Sequence, residues 1–189
     1  MIHKRITILQ FCLIALIAIS KSQAQELTDL PLTMVVGDFT LSLPANPVKI
    51  ASSGNNIVVI WKNRQGLILD LLDQALLQSP ARSSRQMPLN KVPRQIFSKD
   101  KIDPENPWSD FIKQMRPVYS HSASEVGSFQ NGLVEVFYSN SPSRGFTGSA
   151  MAVIHRQKDA AYILMIDAKR ISFETFKTIL GTIRPTTQR

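Results

Sequence analysis

The chain has 189 residues, with 22 Lys and Arg against 14 Asp and Glu, a formal charge of +8, one cysteine and 43% hydrophobic residues. With 19% charged residues, this composition excludes a disordered tail, a collagen and a polytopic membrane protein. The length predicts one domain with an ordinary globular core, whose specific function the composition does not indicate.

The first residues are organised like a secretory signal peptide over residues 1–24. A basic start precedes an apolar stretch from Ile6 to Ile19, and small residues follow around Ser22-Gln23-Ala24. The apolar stretch is shorter than the roughly 20 residues that span a bilayer, so an uncleaved anchor is the weaker alternative. We expect cleavage near Ala24 and export to a periplasm or to the extracellular space.

Removal of this segment would change the charge and the cysteine inventory. The segment contains Lys4, Arg5 and Lys21 but no acid, so the formal charge would fall from +8 to +5. It also contains Cys12, the one cysteine of the chain. The mature chain would therefore have no disulfide, thiolate metal site or cysteine nucleophile, and its stability must come from the core.

The predicted elements begin with a strand. The expected division of the chain is a flexible lead-in, a single domain and a tail, over residues 25–34, 35–184 and 185–189. Apolar and hydroxyl side chains alternate along Phe39–Leu43, which is typical of a half-buried strand. The β-branched run Ile57–Trp61 and the segment Leu67–Leu71, separated by turn residues, predict a β-hairpin. Alternatively, Leu67–Leu77 is helical, because its apolar spacing also fits one helical face, and a strand that merges into a short helix would satisfy both patterns.

Residues 78–107 have a different character. They contain five of the eleven prolines of the chain, which predicts a long loop. Within this loop, residues 78–99 carry five basic side chains and no acid: Arg82, Arg85, Lys91, Arg94 and Lys99. Such a segment can attract an acidic protein surface, with anionic lipid as the alternative and a solvated loop as the neutral interpretation. Only Phe97 interleaves the charges, so nucleic acid is not expected as a partner.

Two amphipathic helices are predicted in the second half of the chain. The first spans Pro104–Arg116 and ends at Pro117. Its apolar residues recur at helical spacing and share one face: Trp108, Phe111, Ile112 and Met115. The second lies near the C-terminus, where Ser172 is suited to cap the helix and Gly181 to end it.

Three further strands are predicted at Leu133–Tyr138, Thr147–His155 and Ala160–Ile166. The last two are joined by a turn at Arg156–Asp159. Consecutive strands linked by hairpins indicate an antiparallel sheet, and the absence of βαβ alternation argues against a Rossmann-type fold. The predicted class is α+β, an antiparallel sheet flanked by two amphipathic helices as a sandwich.

This order of elements resembles the PsbP-like fold. The resemblance is carried by the opening strand Phe39–Pro44, the mid-chain helix with Trp108 and Phe111, and the closing hairpin and helix through Ala161–Asp167 and Ser172–Leu180. It implies a non-catalytic accessory or assembly factor that binds other proteins. It carries over no functional residue, because no functional motif is matched, and fold alone does not determine function.

No motif in the sequence predicts a catalytic residue, a cofactor site or a metal site. His121 and His155 are far apart and lack the spacing of a chelating pair. The segment Ser98–Lys101 matches Ser-x-x-Lys, but it lies in a lysine-rich loop without the accompanying motifs of that enzyme class. Asp70 and Asp73 would share a face only if their segment were helical.

The leading hypothesis is an exported, non-catalytic accessory protein of the cell envelope. It would bind a protein partner with an acidic surface through the basic residues of 78–99. One alternative is a hydrolase whose dispersed residues Ser149, His155 and Asp167 come together in the fold. Another is a binder of a small apolar or lipid ligand between sheet and helices.

Overall fold

The computed structural model describes residues 29–73, 91–105, 108–120, 122–140, 145–155 and 162–186. Several predictions concern residues outside this set. They are the signal peptide, residues 74–77 of the helical alternative, the turn at 156–159, and the side chains of Arg82, Arg85 and His121.

The described residues form ten strands, three α-helices and one 3-10 turn. The strands are β1 (Leu32–Val36), β2 (Phe39–Leu43), β3 (Lys49–Ser53), β4 (Asn56–Ile60), β5 (Gly66–Asp73), β6 (Val126–Asn131), β7 (Val134–Ser139), β8 (Gly148–Ile154), β9 (Tyr162–Lys169) and β10 (Arg184–Pro185). The helices are α1 (Val92–Ile96), α2 (Ser109–Tyr119) and α3 (Phe173–Leu180), and the 3-10 turn is Lys62–Arg64. No helix in the described part of the chain is long and apolar enough to cross a membrane.

The strands form two antiparallel sheets. The larger sheet has seven strands in the order β3-β4-β5-β9-β8-β7-β6, and the smaller has three in the order β1-β2-β10. The predicted hairpin of β4 and β5 is confirmed, with Val59 opposite Leu67. The predicted pairing of the last two long strands is confirmed too, with Val153 of β8 opposite Ile163 of β9. The helical alternative is wrong for residues 67–73, because β5 pairs with β9 over its whole length.

Two clusters of buried side chains lie in the structure. The first core cluster combines both sheets and α3, with members that include Leu41, Val59, Val136, Ala152, Ile166 and Phe176. The second core cluster combines the seven-stranded sheet with α1 and α2, with members that include Ile96, Phe97, Ile112, Phe137, Met151 and Ile163. Residues 150–154 of β8 alternate between the two clusters, and every residue of this strand is buried.

The beginning of the fold differs from the sequence expectation. Residues 32–34, expected in the lead-in, belong to β1, which pairs with β2 along its whole length. Leu32 and Met34 are partly buried against the first core cluster. Their apolar side chains alternate with exposed ones, a period-two pattern that is too short to stand out from the preceding polar residues.

The predicted long loop contains helix α1. Pro93 lies in the first turn of this helix, where the missing N–H costs no intrahelical hydrogen bond and the fixed φ suits the helix. The structure thus has three helices in its described part, where the sequence predicted two.

The predicted helix Pro104–Arg116 has different bounds in the structure. The Asp103 side chain accepts a hydrogen bond from the Glu105 N–H at 2.9 Å, which stabilises a turn rather than a first helical turn. Helix α2 begins at Ser109, and it continues through Pro117 to Tyr119. The predicted end is therefore wrong, since the Ser120 N–H still donates to the Arg116 carbonyl at 2.9 Å beyond the proline.

The predicted ends of the last helix are confirmed. The Ser172 hydroxyl accepts a hydrogen bond from the Thr175 N–H at 3.1 Å, which satisfies one N–H of the first turn. Gly181 is the C-terminal cap, and its N–H donates to the Lys177 carbonyl at 2.9 Å.

Candidate functional site

Three of the five predicted partner-binding residues lie around helix α1. Lys91 directly precedes the helix, Arg94 lies within it and Lys99 follows it, and all three are exposed. The Arg94 side chain is 70% exposed. We refer to the exposed side chains of Lys91, Arg94 and Lys99 as the basic surface. Arg82 and Arg85 lie outside the described residues.

The other side of the same segment is buried in the second core cluster. Val92 and Ile96 have no exposed surface, and Phe97 retains 5%. The Phe97 ring lies 5.8 Å from the Tyr119 ring and 6.2 Å from the Phe137 ring, measured between centroids. These contacts are within the range of favourable aromatic pairs, so the backbone that carries the basic surface is packed on the sheet and on α2.

Arg116 of α2 also holds this segment. Its Nη1 donates to the Asp100 carbonyl at 2.6 Å and its Nη2 donates to the Gln95 carbonyl at 2.7 Å. The Ser120 hydroxyl donates to the Ile96 carbonyl at 2.7 Å. Carbonyls at the end of a helix have no intrahelical partner, so the bonds to Gln95 and Ile96 satisfy groups that the short helix leaves open, and the bond to Asp100 holds the segment beyond the helix. The role of Arg116 could not be predicted from the sequence, because its partners are backbone carbonyls, which every residue has.

A second connection joins the basic surface to the sheet. Arg94 Nη2 lies 2.8 Å from Glu135 Oε1, and His155 Nε2 lies 2.7 Å from Glu135 Oε2. The Glu135 side chain is only 13% exposed and lies on β7, between α1 and the end of β8. Glu135 was not among the predicted residues, since one acid in a strand gives no signal of a bridging role.

An open cleft of about 210 Å³ adjoins the basic surface. Its lining consists of an aromatic pair, one guanidinium and a stretch of β6: Phe97, Phe137, Arg94, Val126, Gly127 and Ser128. The cleft is open to solvent and lies at the edge of the seven-stranded sheet. Its chemistry combines apolar contact with one positive charge.

The three residues of the hydrolase alternative are not assembled. The Ser149 hydroxyl donates to Asp167 Oδ1 at 2.5 Å, and the two residues are opposite each other in β8 and β9. His155 contacts Glu135 instead. Since Ser149 and His155 are six positions apart along an extended segment, their backbones are about 20 Å apart. Ser149 is also only 2% exposed, so its hydroxyl has neither a histidine base nor open access.

Metal coordination finds no support in the described residues, which contain no group of three or more His, Cys, Asp or Glu side chains placed to hold an ion. Asp70 lies in strand β5, so the helical face it was to share with Asp73 does not exist.

No protein-family model and no curated protein matches this chain. By its fold, the described structure is an antiparallel β protein with three α-helices. It carries an anchored basic surface at α1.

Proposed function

We propose that this chain is an exported, non-catalytic accessory protein of the cell envelope that binds an acidic surface of a protein partner. The observation that carries the proposal is the anchoring of the basic surface. Lys91, Arg94 and Lys99 are exposed on a segment whose backbone is held by Arg116 and whose apolar side is buried.

Anchoring matters because binding has an entropic cost. A flexible loop that becomes ordered on binding loses conformational entropy, which weakens binding. A segment that is already packed in the free protein does not incur this cost. Exposed cations contribute mainly to steering and orientation, and each exposed ion pair is worth about 0–1 kcal/mol. The basic surface therefore suits the steering and orientation of a partner.

We also propose a sandwich arrangement of the PsbP-like kind for the fold. The two core clusters support it, because α3 and the small sheet contribute to one cluster while α1 and α2 contribute to the other. The export part of the proposal depends on the signal-like residues 1–24, as does the location in a periplasm or the extracellular space.

The test of the proposed function compares two double variants with equal charge loss. Lys91→Gln/Lys99→Gln removes two charges of the basic surface, and Lys62→Gln/Lys169→Gln removes two exposed charges elsewhere. Arg94 is left intact in this test because its substitution would also break the ion pair with Glu135. Each protein is immobilised and used to capture partners from an envelope extract at low and at raised salt.

We expect the first variant to lose captured partner several-fold at low salt, with a smaller difference at raised salt, because screening weakens exposed charge pairs. The second variant should match the wild type. Equal capture by both variants, at unchanged melting temperature, would contradict the proposal.

A further inference from the structure

Strand β6 forms one edge of the seven-stranded sheet. In the described part of the chain its one strand neighbour is β7. An edge strand presents a row of backbone N–H and C=O groups that another extended chain can bind. The cleft beside the basic surface is lined by three residues of this edge: Val126, Gly127 and Ser128.

The phase of the ladder determines which backbone groups point outward. The Asn140 N–H donates to the Glu125 carbonyl at 2.9 Å, and the register continues with Gly127 opposite Tyr138. In an antiparallel pair every second residue uses both backbone groups toward its neighbour. Glu125 and Gly127 therefore face β7, while the backbone groups of Val126 and Ser128 face away from it.

The side chains next to this edge form a matching surface. Ser128 lies opposite Phe137, and Phe137 belongs to the second core cluster with Phe97. Val126 packs against the same cluster. The outward backbone groups of β6 therefore border a cleft with two aromatic side chains and the exposed guanidinium of Arg94.

We propose that this cleft and the edge of β6 bind an extended peptide segment of the protein partner. The segment adds as a strand at Val126 and Ser128 and places an apolar side chain beside Val126 and the exposed edges of Phe97 and Phe137, each 5% exposed. An acidic side chain two positions along, on the same face of the segment, is directed to Arg94. This inference rests on the proposed function and names the form in which the partner is recognised. Strand addition gives affinity through the main chain, and pockets for alternate side chains give selectivity.

The charges favour an acidic segment. Glu135, which faces the cleft side of α1, is already engaged by Arg94 Nη2 at 2.8 Å and by His155 Nε2 at 2.7 Å. The ion pair with Glu135 orients the Arg94 guanidinium, and 70% of the Arg94 side chain remains exposed. Lys91 and Lys99 add positive charge on the same segment, so the rim of the cleft complements a negative side chain.

The test uses two capped peptides of five residues, Thr-Val-Thr-Glu-Thr and Thr-Val-Thr-Gln-Thr, in which the Val and the fourth residue share one face of an extended strand. Each is titrated into the full-length ¹⁵N-labelled protein, and the amide resonances are followed by NMR. We expect saturable shifts centred on Val126 and Ser128. The Glu peptide should bind about two- to fivefold more tightly than the Gln peptide, as expected for one exposed charge pair.

Ser128→Pro probes the edge directly. Proline at this position removes an outward N–H but no hydrogen bond between β6 and β7, so the sheet should persist. The matched control is Ser52→Pro on β3, the opposite edge of the sheet. Ser53 and Asn56 flank the two-residue turn of the β3–β4 hairpin, so the Ser52 backbone also faces outward. We expect Ser128→Pro to abolish peptide binding and Ser52→Pro to leave it unchanged.

Arg94→Gln provides a second variant if Ser128→Pro fails to fold. It should remove the preference for the Glu peptide and retain binding of the Gln peptide. The proposal is overturned if the shifts fall on β3, if Ser128→Pro or Arg94→Gln binds the Glu peptide like the wild type, or if neither peptide binds. Sedimentation that reveals a dimer abolished by Ser128→Pro would assign the edge to a second copy of the chain, which also overturns it.

The two proposals fail in different ways. If the Lys91→Gln/Lys99→Gln variant loses the partner but no peptide shifts β6, the peptide inference alone is wrong. If peptides bind at β6 while this variant captures as much partner as its control, the proposed role of the basic surface alone is wrong.

Discussion

Arg116 is a cation whose two terminal nitrogens serve backbone carbonyls rather than a carboxylate. The carbonyls belong to Gln95 and Asp100, on either side of the end of α1. The planar guanidinium of Arg can donate to two separated acceptors from two nitrogens, whereas Lys has a single ammonium nitrogen and cannot replace both bonds. The side chain therefore determines the position of the segment that carries the basic surface.

For Arg116→Lys we expect the free energy of unfolding to fall by about 1–3 kcal/mol, the usual worth of hydrogen bonds from a charged donor. Proteolysis within residues 95–105 should become faster, because that backbone loses its support. Urea unfolding and limited proteolysis measure the two effects, with the exposed Arg170→Lys as control. Unchanged stability and unchanged proteolysis would contradict the assigned role.

Lys177 on α3 gives a prediction about pH. Its Nζ lies 2.9 Å from Glu174 Oε1 and 3.4 Å from Glu125 Oε1. The hydrogen bond with Glu174 is the main reason that the pKa of Lys177 is raised above its ordinary 10.5; Glu125 adds to this effect and desolvation opposes it.

Because the raised pKa belongs to the folded state, protonation of Lys177 favours folding. The resulting stability is fully present below pH 10.5 and is lost as the pH rises above that value. The melting temperature of Lys177→Met should thus lie below that of the wild type near neutral pH, and the difference should shrink at about pH 12. A constant difference across this range would contradict the assignment. Lys62→Met, on the exposed 3-10 turn, is the control.

Residues with long-range partners are the ones that sequence reasoning missed. Glu135 contacts Arg94 across 41 positions and His155 across 20. Neither pairing follows from local spacing, because the sheet register and the position of α1 must be known first. Lys91, Arg94 and Lys99 could be nominated from charge alone, but their anchoring depends on Arg116 and on aromatic contacts that only the fold creates.

At the level of elements, strand β8 and helix α3 meet at Gly148. A Cβ built at this position would lie 2.5 Å from Cδ1 and 2.7 Å from Cε1 of Phe176. Phe176 has no exposed surface and belongs to the first core cluster. The glycine therefore lets the helix approach the sheet closely.

We expect Gly148→Ala to destabilise the fold by about 1–3 kcal/mol, as overpacked cores do. The double variant Gly148→Ala/Phe176→Leu should be more stable than the sum of the two single effects, because the smaller side chain makes room for the new methyl group. Denaturant unfolding of all four proteins measures this coupling. If the two changes in the free energy of unfolding simply add, the close approach of Phe176 to Gly148 is not the cause of the destabilisation.

Elements with a complete local signal were predictable. Phe39–Leu43 alternates strictly, and Ser172 caps α3 through its own side chain. Strand β3 gave no such signal, because all five of its residues are exposed and no face is selected. Helix α1 was not predicted, because Pro93 suggested a loop. The helix is stabilised by burial of Val92 and Ile96 against residues distant in sequence, which no local pattern indicates.

At the scale of the whole molecule, the proposed export predicts processing of the first residues. The mature protein recovered from the envelope should begin at or near Gln25, as read by N-terminal sequencing. Ile14→Arg places a charge in the apolar stretch and should leave the precursor uncleaved, whereas Ile14→Leu should be processed normally. Mature material that begins well before Gln25 would contradict the predicted cleavage.

The small sheet joins the two ends of the described chain. Thr40 of β2 lies opposite Arg184 of β10, and the Ser42 N–H donates to the Thr182 hydroxyl at 2.9 Å across 140 positions. Contacts between residues so far apart in sequence slow folding, because the entropic cost of closing a long loop arises before the contacts can stabilise the chain. Until residues 182–185 have been synthesised, β2 lacks its pairing with β10 and the hydrogen bond to Thr182. Completion of the three-stranded sheet therefore depends on residues 182–185, which lie far along the chain from β2.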